Sequence, residues 1–207
     1  MAPKVSEEYR TQKKLELLRA AKRVFIRKGY TDATMQDIMD EAGVSRGALY
    51  SYFENIEHAF IEVLRQEDQK VLHIFEPDDQ TSLWRQLADW VRGQQKSIEE
   101  IHQSLLHAMA EFFLSAHYLV NKAHFPYIAE RYQRVADAIA RLIQKGAEQG
   151  EFRPRMSPEA IALYFVSFID GLMLNTFQLG PEKTKVGEQL AVLLVSLEAM
   201  LAPATEE

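Results

Sequence analysis

Apolar residues along this chain recur at helical spacing, and no segment shows the strict alternation of a half-buried strand. From Ser6 to Lys28 the residues Leu17, Leu18, Ala21, Val24 and Phe25 share one side, Glu7 and Glu8 occupy the first turn, and Gly29 supplies a stop. Thr34 to Asp37 has capping-box spacing; it predicts a short second helix that turns Ile38 and Ala42 inward and ends at Gly43. Ser45 caps a third helix through Tyr50, and Phe53 and Asn55 lead into a fourth that carries Phe60, Val63 and Leu64. Pro77 to Gln80 breaks the chain before a stretch from Ser82 to Leu119, whose stripe Leu105, Met109, Phe112 and Ala116 keeps helical spacing. Pro126 opens a helix that Gly150 closes, and Ser157-Pro158 starts another that Gly180-Pro181 terminates. A last helix spans Glu182 to Leu201, so the pattern predicts an all-α chain.

Two segments, Ile161 to Leu174 and Leu190 to Leu201, are apolar around most of the helix, so one buried face cannot hide them. A self-complementary four-helix dimer seam gives both a second face. Ser167 and Gly171 allow close approach there, with Leu174, Leu190, Leu194 and Leu197 as the remaining interface candidates. Both runs fall short of the roughly 20 residues of a membrane span, so no membrane partner is expected.

Composition narrows the chemistry. The 207 residues include no cysteine, which excludes disulfides, thiolate metal sites and cysteine nucleophiles and fits a reducing compartment. The amino terminus lacks an apolar signal region, and the expected location is cytoplasmic. The net charge of −6 hides an asymmetry: residues 1–55 carry +2 and residues 56–207 carry −8.

The second and third helices, joined by Ala42-Gly43-Val44, match a helix-turn-helix whose second helix is free to enter a major groove. Gly47 and Ala48 are small where backbone must approach the duplex. Arg46, Tyr50 and Tyr52 are donors, and Leu49 and Phe53 are anchors.

Thr34, Asp37, Ile38, Ala42, Gly43, Val44, Ser45, Gly47, Tyr50, Tyr52 and Phe53, preceded by Ala20-Ala21, Phe25 and Gly29-Tyr30, resemble the signature of the TetR family of bacterial transcriptional regulators. The specific resemblance covers roughly residues 10–65; beyond it, Lys145 to Phe152 and Asp170 to Leu172 are similar to common family patterns. It implies a helix-turn-helix DNA-binding domain over residues 1–55 and a larger helical effector-binding and dimerisation domain over 56–207. The implied protein is a homodimeric repressor that binds a palindromic operator in double-stranded DNA and is released by a small-molecule effector. Carried over by position, Thr34 and Ser45 lie at the phosphate-facing caps, Arg46, Gly47 and Ala48 face base edges, and Tyr50 and Tyr52 bind backbone. The chain departs from the family at Ile56, where a phosphate-contacting Lys is usual, and at Met39, where Ala is usual. Lys13 and Lys14, with Arg10 and Lys4 nearby, are candidates to replace the missing contact.

Effector candidates are apolar stripes interrupted by a polar group, His102 with Leu105, Met109 and Phe112, Tyr132 with Val135 and Ile139, and Asn175 with Phe168 and Leu172, together with Leu64 and the aromatic surface of Trp90. Two other readings stand beside the repressor. One is a helical enzyme, metal-dependent through His107 and Glu111 or acting on another small molecule, although no catalytic or cofactor motif occurs; the other is an effector-independent architectural DNA-binding protein.

Overall fold

In the computed structural model, which describes residues 7–76 and 81–204 without the side chains at 70, 71, 73 and 74, the described residues form helices and no strand. Ser6, Lys4 and the expected break at Pro77 to Gln80 lie outside them. The described residues form two compact units: 7–67 with His102–Leu119, and 68–76 and 81–101 with 120–204.

In the first unit, α1 (Glu7–Lys28) buries the predicted stripe, with Leu17, Ala21, Val24 and Phe25 fully enclosed. Gly29 ends it at φ +75°. Next, α2 (Met35–Ala42) begins at a complete capping box. The Asp37 amide donates to Thr34 Oγ1 at 3.2 Å, the Thr34 amide donates to Asp37 Oδ2 at 3.0 Å, and Lys28 Nζ holds Asp37 Oδ1 at 2.7 Å. Met39 is buried, so its extra volume relative to Ala is taken up by packing. Gly43 sits at φ +62° with open space around it, so the turn needs glycine for backbone freedom and not for room. Then come α3 (Arg46–Tyr50) and α4 (Ile56–Ile74), which starts with Asn55 Oδ1 accepting the His58 amide at 2.7 Å.

Residue 55 does not divide the units. The start of α4 and residues 102–119 join the amino-terminal helices because Phe60 and Phe112 complete an aromatic cluster with Phe25 and Tyr30, at ring separations of 4.9–5.2 Å. The expected continuous stretch from Ser82 to Leu119 is also interrupted, into α5 (Leu83–Glu99), α6 (Leu105–Phe113) and α7 (Ala116–Val120). Serine hydroxyls account for the breaks: Ser104 accepts from the Leu106 amide, and Ser115 both donates to the Phe112 carbonyl and accepts from the Tyr118 amide. The buried stripe of α6 is Leu105, Ala108 and Phe112; Met109 is half-buried and Ala116 exposed.

In the second unit, α5, α8 (Pro126–Glu148), α9 (Pro158–Leu179) and α11 (Val186–Leu201) enclose one core that includes Leu87, Val91, Ile139, Ile143, Phe165 and Leu193. The predicted last helix is split: α10 (Pro181–Thr184) ends at Lys185, whose φ of 49° reorients the chain into α11. Glu151 caps α5 by accepting from the Leu83 and Trp84 amides and the Ser82 hydroxyl. At 22 residues, α9 exceeds the apolar run read from the sequence and is long and apolar enough to cross a membrane by length and composition. Its buried stripe, Ile161, Ala162, Phe165, Ile169 and Leu172, belongs to the core just described.

Two outcomes follow from these contacts. A Cβ at Gly146 would run into the ring of buried Phe152, so Gly146→Ala should lower unfolding free energy by about 1–3 kcal/mol in chemical denaturation through overpacking. Lys28, then Thr34, hold the Asp37 carboxyl below its ordinary 3.8, and Arg23 and Arg27 hold Glu41 below 4.5. The stability they contribute is present above those ordinary values and drains as pH falls further, through the lowered values. Acid titration of the melting temperature should show this loss below about pH 4, smaller in Asp37→Asn.

Candidate nucleic-acid interface

The turn between α2 and α3 is built by local hydrogen bonds. The Gly43 and Val44 amides close α2 onto the Asp40 and Met39 carbonyls, and Ser45 Oγ accepts from the Ala48 amide at 3.4 Å. Because α3 turns Leu49 into the core, with Phe53 fully buried just beyond it, its other side is held outward: Arg46, Gly47, Ala48 and Tyr50 are all exposed. Nothing lies within 4 Å of a Cβ built on Gly47, so internal packing does not demand glycine there, and its bareness keeps the surface low. The Arg46 guanidinium rests over the Tyr50 ring at 5.1 Å, which holds two predicted contact residues side by side. Ser45 and Thr34 are exposed at the starts of their helices, and Tyr52 is half-buried.

Most cations of this unit are already paired. Lys13 binds Glu16 at 2.9 Å, Lys14 binds Glu62 at 2.5 Å, and Lys22 binds Glu67 at 2.7 Å. Arg23 and Arg27 share Glu41, and Lys28 holds Asp37. The predicted phosphate contacts Lys13 and Lys14 are therefore engaged within the protein in the absence of DNA. Arg10, Arg19 and Arg46 have no ion pair among the described residues. Ile56, where the resemblance led to an expected Lys, is half-buried as the first residue of α4.

The predicted effector residues are divided between the two units. Leu64, His102, Leu105, Met109 and Phe112 lie in the first unit; Trp90, Tyr132, Phe168 and Asn175 lie in the second. Phe112 and Leu64 are core residues, while the three polar groups meant to orient a ligand, His102, Tyr132 and Asn175, are all exposed. Trp90 packs against Phe75 and Phe165, at ring separations of 5.1 and 5.2 Å. Sequence reasoning missed a buried polar cluster in which Asp68 accepts from the Tyr127 hydroxyl and from Arg131 Nε at 2.7 Å. Burial, then the Asp68 carboxylate, pushes the Tyr127 hydroxyl above its ordinary value. Those residues lie about 60 positions apart in the chain, which no local pattern reveals.

The residues expected at the seam fall into two groups. Leu190 and Leu197 are buried with Leu193 and Leu201 inside their own unit, and Leu194 is half-buried against that core. They recur at the 3.6-residue period of one inward stripe, and the outward stripe of α11 is instead Val192, Val195 and Ala199. On α9, Ser167 is exposed and Gly171 and Leu174 half-buried, alongside exposed Leu163 and Tyr164. The His107 and Glu111 pair faces the end of α1. Among the described residues, no group of three or more His, Asp or Glu side chains is placed to hold a metal ion.

Comparison with known proteins agrees with this geometry. Residues 17–63 match the family model described as bacterial regulatory proteins, tetR family, and residues 86–187 match the tetracyclin repressor-like C-terminal domain. The chain is 30% identical over 187 residues to the HTH-type transcriptional regulator YfiR of Bacillus subtilis, covering 90% of each chain. It is 23% identical over 177 residues to the repressor AcnR of Corynebacterium diphtheriae, covering 83% of this chain and 84% of that one. Among solved structures, the SmeT–triclosan complex superposes at a TM-score of 0.73 with 18% identity, covering 94% and 96% of the two chains. A TetR regulator from Haloarcula marismortui gives the same TM-score at 22% identity, covering 92% and 99%. With its exposed recognition helix carried on an all-helical scaffold, the chain belongs to the TetR family and is a DNA-binding transcriptional regulator, not an enzyme.

Proposed function

We propose that this regulator is a homodimeric repressor that acts in the cytoplasm, places one α3 per subunit in successive major grooves of a palindromic operator, and lets go when a small molecule binds its second unit. The observation that carries the reading is the outward face of α3, where Arg46, Gly47, Ala48 and Tyr50 stand exposed over buried Leu49 and Phe53. Arg46 reads a base edge, Tyr50 and Tyr52 donate to backbone, and Thr34 and Ser45 lie at the phosphates. Repressor names among the relatives support the sign of regulation, and the complex of SmeT with triclosan supports a small-molecule ligand.

Dimerisation rests on two outward stripes, exposed along α11 and exposed or half-buried along α9. On α9, Ala160, Tyr164, Ser167, Gly171, Leu174 and Gln178 follow alternating steps of four and three; on α11, Glu188, Val192, Val195 and Ala199 do the same. That is the repeat of a left-handed helical bundle, and two copies supply the second face that these apolar helices need. Symmetry then sets the half-sites about 34 Å apart.

Selection of genomic DNA fragments by the purified protein, followed by sequencing, should return a short palindrome. With most cations of the DNA-binding unit paired internally, the slope of log affinity against log salt for that operator should be no steeper than about −5, the value for the three unpaired arginines among the described residues of each DNA-binding unit. A steeper slope would mean that Lys13 and Lys14 leave their carboxylates for phosphate. Val195→Glu, on a side chain 66% exposed in the single chain, should give monomers in sedimentation and weaken palindrome binding at least tenfold; an unchanged dimer would refute the seam.

A further inference from the structure

The geometry points to Glu111 as a positioning residue for DNA binding: its carboxylate, carried on α6, clamps the turn that joins α1 to the helix-turn-helix. Glu111 Oε2 accepts from the Tyr30 amide at 2.6 Å and from the Thr31 amide at 3.1 Å, across 80 residues of sequence. These are the first amides after the glycine that ends α1, and the Thr34 cap of α2 follows three residues later. Gly29 is buried at φ +75°, and a Cβ built there would collide with the same carboxylate, so the Glu111 head group lies directly against the backbone. His107, one helical turn earlier on α6, holds Glu111 Oε1 at 3.1 Å and orients it. The next residue, Phe112, anchors the segment by stacking edge-on to Tyr30 at 4.9 Å.

Charge-assisted bonds to two amides fix a turn more firmly than neutral ones. The direction in which α2 and α3 leave α1 is set in that turn, so the operator-reading face depends on a side chain from the segment matched by the C-terminal family model. The DNA-binding head is thus discontinuous in sequence, residues 7–67 completed by 102–119. This rests on the DNA-binding reading for its consequence, but the clamp itself is testable without DNA.

Glu111→Ala and Glu111→Gln are compared with the wild type in the full-length protein. In Glu111→Ala, amide exchange at Tyr30 and Thr31 should accelerate about tenfold or more, with faster exchange through α2 and α3. Affinity for the selected operator should fall about tenfold while affinity for a random-sequence duplex stays within about twofold, because the loss is of alignment and not of charge contact. Glu111→Gln keeps an acceptor oxygen and should recover most of both. Equal loss on both duplexes, or wild-type exchange and operator affinity in Glu111→Ala, would overturn the proposal. If Glu111→Ala fails to fold by circular dichroism, Glu111→Asp, which withdraws the carboxylate by one methylene, takes its place with the same expected losses. Failure of the wild type to select any DNA would sink the functional reading instead, and the exchange rates would still decide the clamp.

Discussion

Edge-to-face and tilted packing of Phe60 and Phe112 with Phe25 and Tyr30 is the constraint on which the DNA-binding unit depends. Each ring comes from a different part of the chain: α1, the turn after it, α4 and α6. Aromatic pairs of this geometry contribute about 0.5–1.5 kcal/mol each beyond the area they bury, so a cluster of four is a firm joint. Burial, with a smaller contribution from Glu57, pushes the Tyr30 hydroxyl up to about 12, which keeps the ring neutral within that joint at any physiological pH. What the joint carries is an outward-facing α3, whose conformation follows from Leu49 and Phe53 being drawn inward.

Electrostatics in this unit serve the fold before they serve DNA. Carboxylates of Asp37 and Glu41 on α2 and of Glu62 and Glu67 on α4 take up lysine or arginine from α1, and Glu16 pairs with Lys13 within α1. Surface pairs of this kind contribute little individually, but together they reduce the field available to a polyanion. On the proposed reading, recognition relies on shape and hydroxyl donors around α3, where Arg46 already rests over Tyr50.

In the second unit the governing fact is that α9 and α11 are apolar on more than the stripe that their own core uses. Ile161, Phe165, Ile169 and Leu172 face that core from α9, as do Leu190, Leu193, Leu197 and Leu201 from α11. Val192 and Val195 remain outside, more than half exposed. In the proposed homodimer a second copy of the same surface covers them, because a two-fold axis lets each stripe meet its own kind.

Helix starts and stops were written in local residues and could be read directly: Thr34 with Asp37, Gly43 at positive φ, Ser45, Ser157-Pro158 and Gly180 act within a few positions of themselves. The exposed face of α3 was legible for the same reason, since its anchor Leu49 and its exposed residues share one helix and Phe53 follows within three residues. Which apolar stripe of α11 turns inward was not legible, because a helix that is apolar all round has no single hydrophobic direction until neighbours surround it. The sequence by itself determined the all-helical class, the helix-turn-helix and the family. Only the tertiary structure decided that residues 102–119 belong with the DNA-binding head, that Glu111 meets the Tyr30 and Thr31 amides, and that Asp68 meets Tyr127 and Arg131. Those contacts join side chains about 60 to 80 residues apart, and nothing local encodes which distant helix will arrive.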